Sequence, residues 1–159
     1  MNLPRYNPEA PIPAIPYQPG KNQRDPLFQI THETPSPDWK TDASFLHGVD
    51  LFNHRCYWEA HEAWEHRWLP LVHDDPLRIF LQGLIQASAS LLKVRLEAPD
   101  SATTIWHRGR TRLQLIEQDC PSGTYQGVQI AKLITSMDQI VTHKNPIFDA
   151  PFIELLGWN

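Results

Sequence analysis

From residue 42 to residue 143 the apolar positions recur at three- and four-residue spacing, the period of a helix rather than a strand. The pattern predicts five helices, near 43–54, 57–69, 76–97, 101–118 and 127–143, with ends good to about four residues. In the first, Phe45, Leu46, Val49, Phe52 and Asn53 share a face behind an Asp42 N-cap. His47, Asp50 and His54 fall opposite and read as a solvated polar face. A turn through His54-Arg55-Cys56 leads to the second helix, which stops near Pro70. The third starts with Asp75 as cap and Pro76 in its first turn. It is apolar nearly all round, the mark of a central helix, apart from a stripe of Gln82, Gln86, Ser90 and Lys93. The fourth, opening at Asp100 or Ser101, carries a narrow core stripe of Ala102, Ile105, Trp106, Gly109, Leu113 and Ile116. The fifth turns Ile130, Leu133, Ile134, Met137, Ile140 and Val141 inward. No alternating strand pattern persists. The fold class is therefore all-α, a compact antiparallel bundle of about five helices at 43–143.

The two ends read differently. Nine of the fifteen prolines lie in residues 1–42, where each fixes φ and removes a donor, so this arm is extended or irregular. Its Tyr6, Ile15, Tyr17, Leu27 and Phe28 are more apolar than a free linker needs. The arm is expected to pack along its own domain or onto a second copy in a homo-oligomer. Residues 144–159 form an irregular, proline-broken apolar tail (Ile147, Phe148, Phe152, Ile153, Leu155, Leu156, Trp158).

Composition narrows the class. The 159 residues suffice for one core that buries roughly two-thirds of the unfolded surface. A net charge of -4 disfavours nucleic acid and anionic membrane as partners. The longest apolar run, 79–96, is broken by Gln82, Gln86, Lys93 and Arg95, too polar to span a bilayer. With no signal-peptide pattern and two cysteines outside any metal or redox motif, a cytoplasmic protein is expected.

The chemistry concentrates in residues 57–68, where Trp58, Trp64 and Trp68 interleave with Glu59, Glu62, Glu65, His61 and His66. At 100° per residue Tyr57, His61, Trp64 and Trp68 share one side, with Glu65, Trp58 and Glu62 on the adjacent flank. Burial of that side carries His61 inward and sets two carboxylates at the rim, where they must be paired, metal-bound or chemically used. His61-Glu62-Ala63-Trp64-Glu65 resembles the H-E-x-x-H helix of zinc hydrolases with glutamate for the second histidine. In that reading His61 and Glu65 hold a divalent metal such as zinc, Glu62 is the general base, and a third ligand comes from elsewhere. Counting excludes the usual di-iron bundle, because no glutamate has a histidine three residues later. The alternative is a polar network that specifies packing, with His61 contacting Glu62, Glu65, Gln82 or Gln86.

Gly48, Phe52 and Asn53, then Glu59-Ala60-His61-Glu62, Trp64, Glu65 and Trp68, then Gln82-Gly83-Leu84-Ile85-Gln86, resemble a family catalogued as domain of unknown function 309. The resemblance covers roughly 43–117 and implies a compact all-helical fold without fixing an activity. It marks Asn53, Glu59, His61, Glu62, Trp64, Glu65, Trp68, Gly83 and Gln86. The expected site joins His61, Glu62 and Glu65 to Gln82 and Gln86. Asn53 and Glu59 lie at its edge, Trp58 forms a wall, and Gly83 lets the second and third helices approach. Two functions fit: a scaffold or small-ligand-binding domain, or a metal-dependent hydrolase.

Overall fold

The computed structural model describes residues 3–30, 33–144 and 149–159. Its five helices, α1 (Ala43–Asn53), α2 (Tyr57–Trp68), α3 (Pro76–Arg95), α4 (Pro99–Gln118) and α5 (Ile130–Met137), pack against one another. Each boundary has a local cause. Asp42 accepts the Phe45 amide at 3.1 Å and caps α1, and Asp75 accepts the Leu77 amide at 2.9 Å and caps α3 ahead of Pro76. Arg55, in the left-handed region at φ 62°, turns the chain from α1 into α2. α4 begins at Pro99, earlier than the expected Asp100 or Ser101 cap, because proline tolerates a first turn where amide donors go unused.

The fifth helix is shorter than its apolar period. Thr124–Tyr125 (β1) and Val128–Gln129 (β2) form an antiparallel hairpin before it. Gln126 and Gly127, both at positive φ (50° and 78°), make its turn, the conformation a two-residue hairpin requires. After Met137 the chain continues as a π-helical turn, Asp138–Thr142.

The helices interlock through a few polar contacts inside an aromatic core of Phe45, Phe52, Trp64, Phe80 and Trp106. Asp42 uses its second oxygen on Arg67 Nε of α2 at 2.5 Å, so one buried carboxylate caps α1 and ties it to α2. Ser88 of α3 donates to the Tyr57 carbonyl at 2.6 Å, and Ser90 donates to the Ala102 carbonyl at 2.7 Å. The helix approach at Gly83 differs from the expected one. A Cβ at Gly83 would meet Leu113 at 2.8 Å and one at Gly109 would meet Gln86 at 2.9 Å, so these glycines join α3 to α4, not α3 to α2.

From residue 3 to residue 30 the arm lacks regular structure and lies against the helices. Tyr6 is buried and accepts the Leu155 amide at 3.0 Å, while its ring meets Trp158 edge-on. Phe28 packs at the core's margin, but Ile15 and Leu27 stand exposed. In the tail, Ile153 and Leu155 are buried and Phe152 and Trp158 partly so; Ile147 and Phe148 lie outside the described residues. Among the described residues no helix is long and apolar enough to cross a membrane.

Candidate functional site

α2 divides its unusual side chains between core and rim. Trp64 is fully buried and donates its indole N–H to the Phe45 carbonyl at 3.2 Å. Trp68, expected in the core, is only partly buried, with the Arg78 guanidinium 3.8 Å from its ring centre. On the flank, Trp58 donates to Glu62, and the Tyr17 ring meets Trp58 edge-on at 5.2 Å. Arg24 donates to both Glu62 oxygens, at 2.5 and 2.7 Å. Glu59 is buried and accepts the Tyr17 amide at 2.8 Å, while its other oxygen has no protein partner. Burial pushes its carboxyl above the ordinary range, outweighing that hydrogen bond.

His61 reaches Glu65 at 3.3 Å through Nε2 and the Trp58 carbonyl at 3.0 Å through Nδ1. Its side chain keeps 23% of its exposure and that of Glu65 keeps 45%, so this pair sits at the surface rather than inward. Among the described residues no three His, Cys, Asp or Glu side chains gather as a ligand set. Burial also pushes the Cys56 thiol up to about 12, which leaves it without nucleophilic thiolate at neutral pH.

The largest correction lies on α1. His47 and Asp50, assigned to a solvated face, are fully buried. Helical periodicity places them opposite the bundle correctly, but the arm covers that side. Asp50 Oδ1 accepts the Tyr6 amide at 2.8 Å, and Oδ2 accepts the Asn7 amide at 2.8 Å and Arg5 Nε at 3.0 Å. His47 Nε2 lies 2.7 Å from the Pro11 carbonyl, with Phe28 against its ring. That carbonyl can only accept, so Nε2 is the donor, and burial lowers the imidazole's pKa.

The helices that carry these groups can now be placed among known proteins. Residues 45–105 match the family model described as Domain of unknown function (DUF309). No curated protein matches the chain. The DUF309 segment takes in most of α1, all of α2 and α3, and the start of α4. It contains Asp50, Glu59 and Glu62, whereas five residues that donate to them (Arg5, Tyr6, Asn7, Tyr17, Arg24) precede it and only Trp58, which donates to Glu62, lies within it.

The remaining expected site residues of the DUF309 segment separate. Asn53 exchanges two hydrogen bonds with the Ile153 backbone, at 2.9 and 2.8 Å, and so anchors the tail. Gln86 accepts from Arg112 of α4 at 3.0 Å instead of facing His61. Gln82 lines a cleft with Trp68, Arg78 and Arg112. The expected cluster thus resolves into a rim (Trp58, Glu59, His61, Glu62, Glu65) and a separate α3–α4 face. Asp50 had a legible signal, an acid on an otherwise core-forming helix. Its partner Arg5 had none, because no local period connects residue 5 to residue 50.

Proposed function

We propose that this chain acts as a helical scaffold whose polar groups on α1 and α2 hold an extended, proline-rich segment. The observation that carries the reading is Asp50, a carboxylate with no exposure whose acceptors are taken by two arm amides and Arg5. A buried carboxylate without such partners is strongly disfavoured. Two of the three donors are backbone, so the grip depends on an extended path more than on arm side chains. Glu59 with the Tyr17 amide and Glu62 with Arg24 repeat the arrangement one helix on. Removal of residues 1–30 should lower the melting temperature, and a synthetic peptide of residues 3–30 added in excess should restore it. An unchanged melting temperature after the deletion would refute the reading.

The second reading, a metal-dependent hydrolase with His61 and Glu65 as ligands and Glu62 as base, draws support from the 3.3 Å approach of His61 to Glu65. In this arrangement both Glu62 oxygens are already taken, because Arg24 donates to each and Trp58 to one. Under the scaffold reading, zinc added to the full chain leaves the melting temperature unchanged. A zinc-dependent rise lost in His61→Ala and Glu65→Ala would favour the hydrolase.

A further inference from the structure

A cleft of about 620 Å³ opens where the end of α2 and the loop after it meet α3 and α4. That volume falls within the range of small-molecule sites. Two of its lining residues are arginines from different helices, Arg78 of α3 and Arg112 of α4. Both are immobilised. Arg78 lies over the Trp68 ring at 3.8 Å and donates through Nη1 to the Trp68 and Leu71 carbonyls, at 3.1 and 2.8 Å. Arg112 donates to Gln86 Oε1 at 3.0 Å and to the Arg108 carbonyl at 3.3 Å. Among the described residues neither forms an ion pair with a carboxylate. In a chain with 18 acidic and 14 basic residues, two positioned guanidinium groups without a carboxylate partner, converging on one cleft, suit an anion.

We infer that this cleft binds a small phosphate monoester, its phosphate between Arg78 and Arg112. A carboxylate is satisfied by one guanidinium fork, whereas a dianionic tetrahedral group suits donors arriving from two helices. Gln82 and Thr111 add neutral polar groups to the lining, and Ile79 and Leu115 offer apolar surface for the ligand's organic part. Asp74, the one acid in the lining, opposes the anion and limits affinity.

The test is calorimetric titration of the full chain with inorganic phosphate, phenyl phosphate and benzoate. Phenyl phosphate should bind saturably and more tightly than inorganic phosphate, and benzoate at least tenfold more weakly. Arg112→Gln should weaken phenyl phosphate at least tenfold, and Asp74→Asn should strengthen it. Arg78 is left intact because its guanidinium also holds the loop carbonyls. The inference is overturned by absence of saturable binding, by benzoate binding as tightly as phenyl phosphate, or by Arg112→Gln leaving the affinity unchanged. Equal weakening by Lys132→Gln, on α5 away from the cleft, would overturn it too, since it marks unspecific charge attraction.

Discussion

Replacing Asp50 isolates the grip between arm and bundle. The native carboxylate offers acceptors on both oxygens, one to Tyr6 and the other to Asn7 and Arg5. Asparagine is nearly the same size but turns one acceptor into an N–H donor, which must then confront an arm N–H. At least one buried bond is lost and the charge assistance with it, for a cost of about 2 kcal/mol. Alanine leaves all three donors without acceptors. The Tyr6 amide is buried and bears the full penalty, whereas Arg5 keeps 25% of its side-chain exposure and regains water. The cost of Asp50→Ala is therefore about 3–5 kcal/mol rather than the sum of three full penalties. Urea unfolding followed by tryptophan fluorescence measures it, and native-state trypsin cleavage at Lys21 and Arg24 reports arm release. In a double-mutant cycle, Arg5→Ala should show a coupling of about 1 kcal/mol with Asp50→Asn. If Asp50→Ala costs less than about 1 kcal/mol and cleavage does not accelerate, the carboxylate does not hold the arm.

Three further outcomes are expected. Gly48→Ala puts a Cβ within clashing distance of three Trp64 indole atoms in a fully buried site, so it should cost about 3 kcal/mol by urea unfolding. His47 has a pKa lowered below 6.5, chiefly by burial and against the raising effects of Pro11 and Asp50, so below pH 6.5 the unfolded chain binds more protons than the folded one. Stability is then full above pH 6.5 and falls on acidification, and His47→Gln should flatten that fall in melting curves from pH 7.5 to 5. Glu59 has a raised pKa, chiefly from burial, so the folded chain holds its proton above the unfolded value of 4.5 and stability drops as pH rises through the raised pKa. Glu59→Gln keeps an oxygen for the Tyr17 amide and should gain on the order of 1 kcal/mol at pH 7, with no gain at pH 4.

The local half of this protein was legible in the sequence. Asp42 and Asp75 as caps, Pro76 at a first turn, the core stripe from Ala102 to Ile116 and the apolar character of α3 follow from capping and period, which act within one helix. The motif in α2 likewise pointed to the matched family. The Gln126-Gly127 hairpin escaped because two residues a strand are too few for alternation to register.

What the period could not supply was the partner of each polar group. It placed His47 and Asp50 opposite the bundle and inferred solvent there, yet a chain segment 36 to 45 residues earlier covers them. Gln86 turned to Arg112, Asn53 to Ile153 and Gly83 to Leu113, because helix-to-helix register depends on side-chain interlocking across sequence distances that no local pattern encodes. Sequence alone determined which faces exist and where the first three helices begin. Tertiary structure decided what covers each face, and through desolvation that decides whether a carboxylate is a solvated surface group or the anchor of an arm.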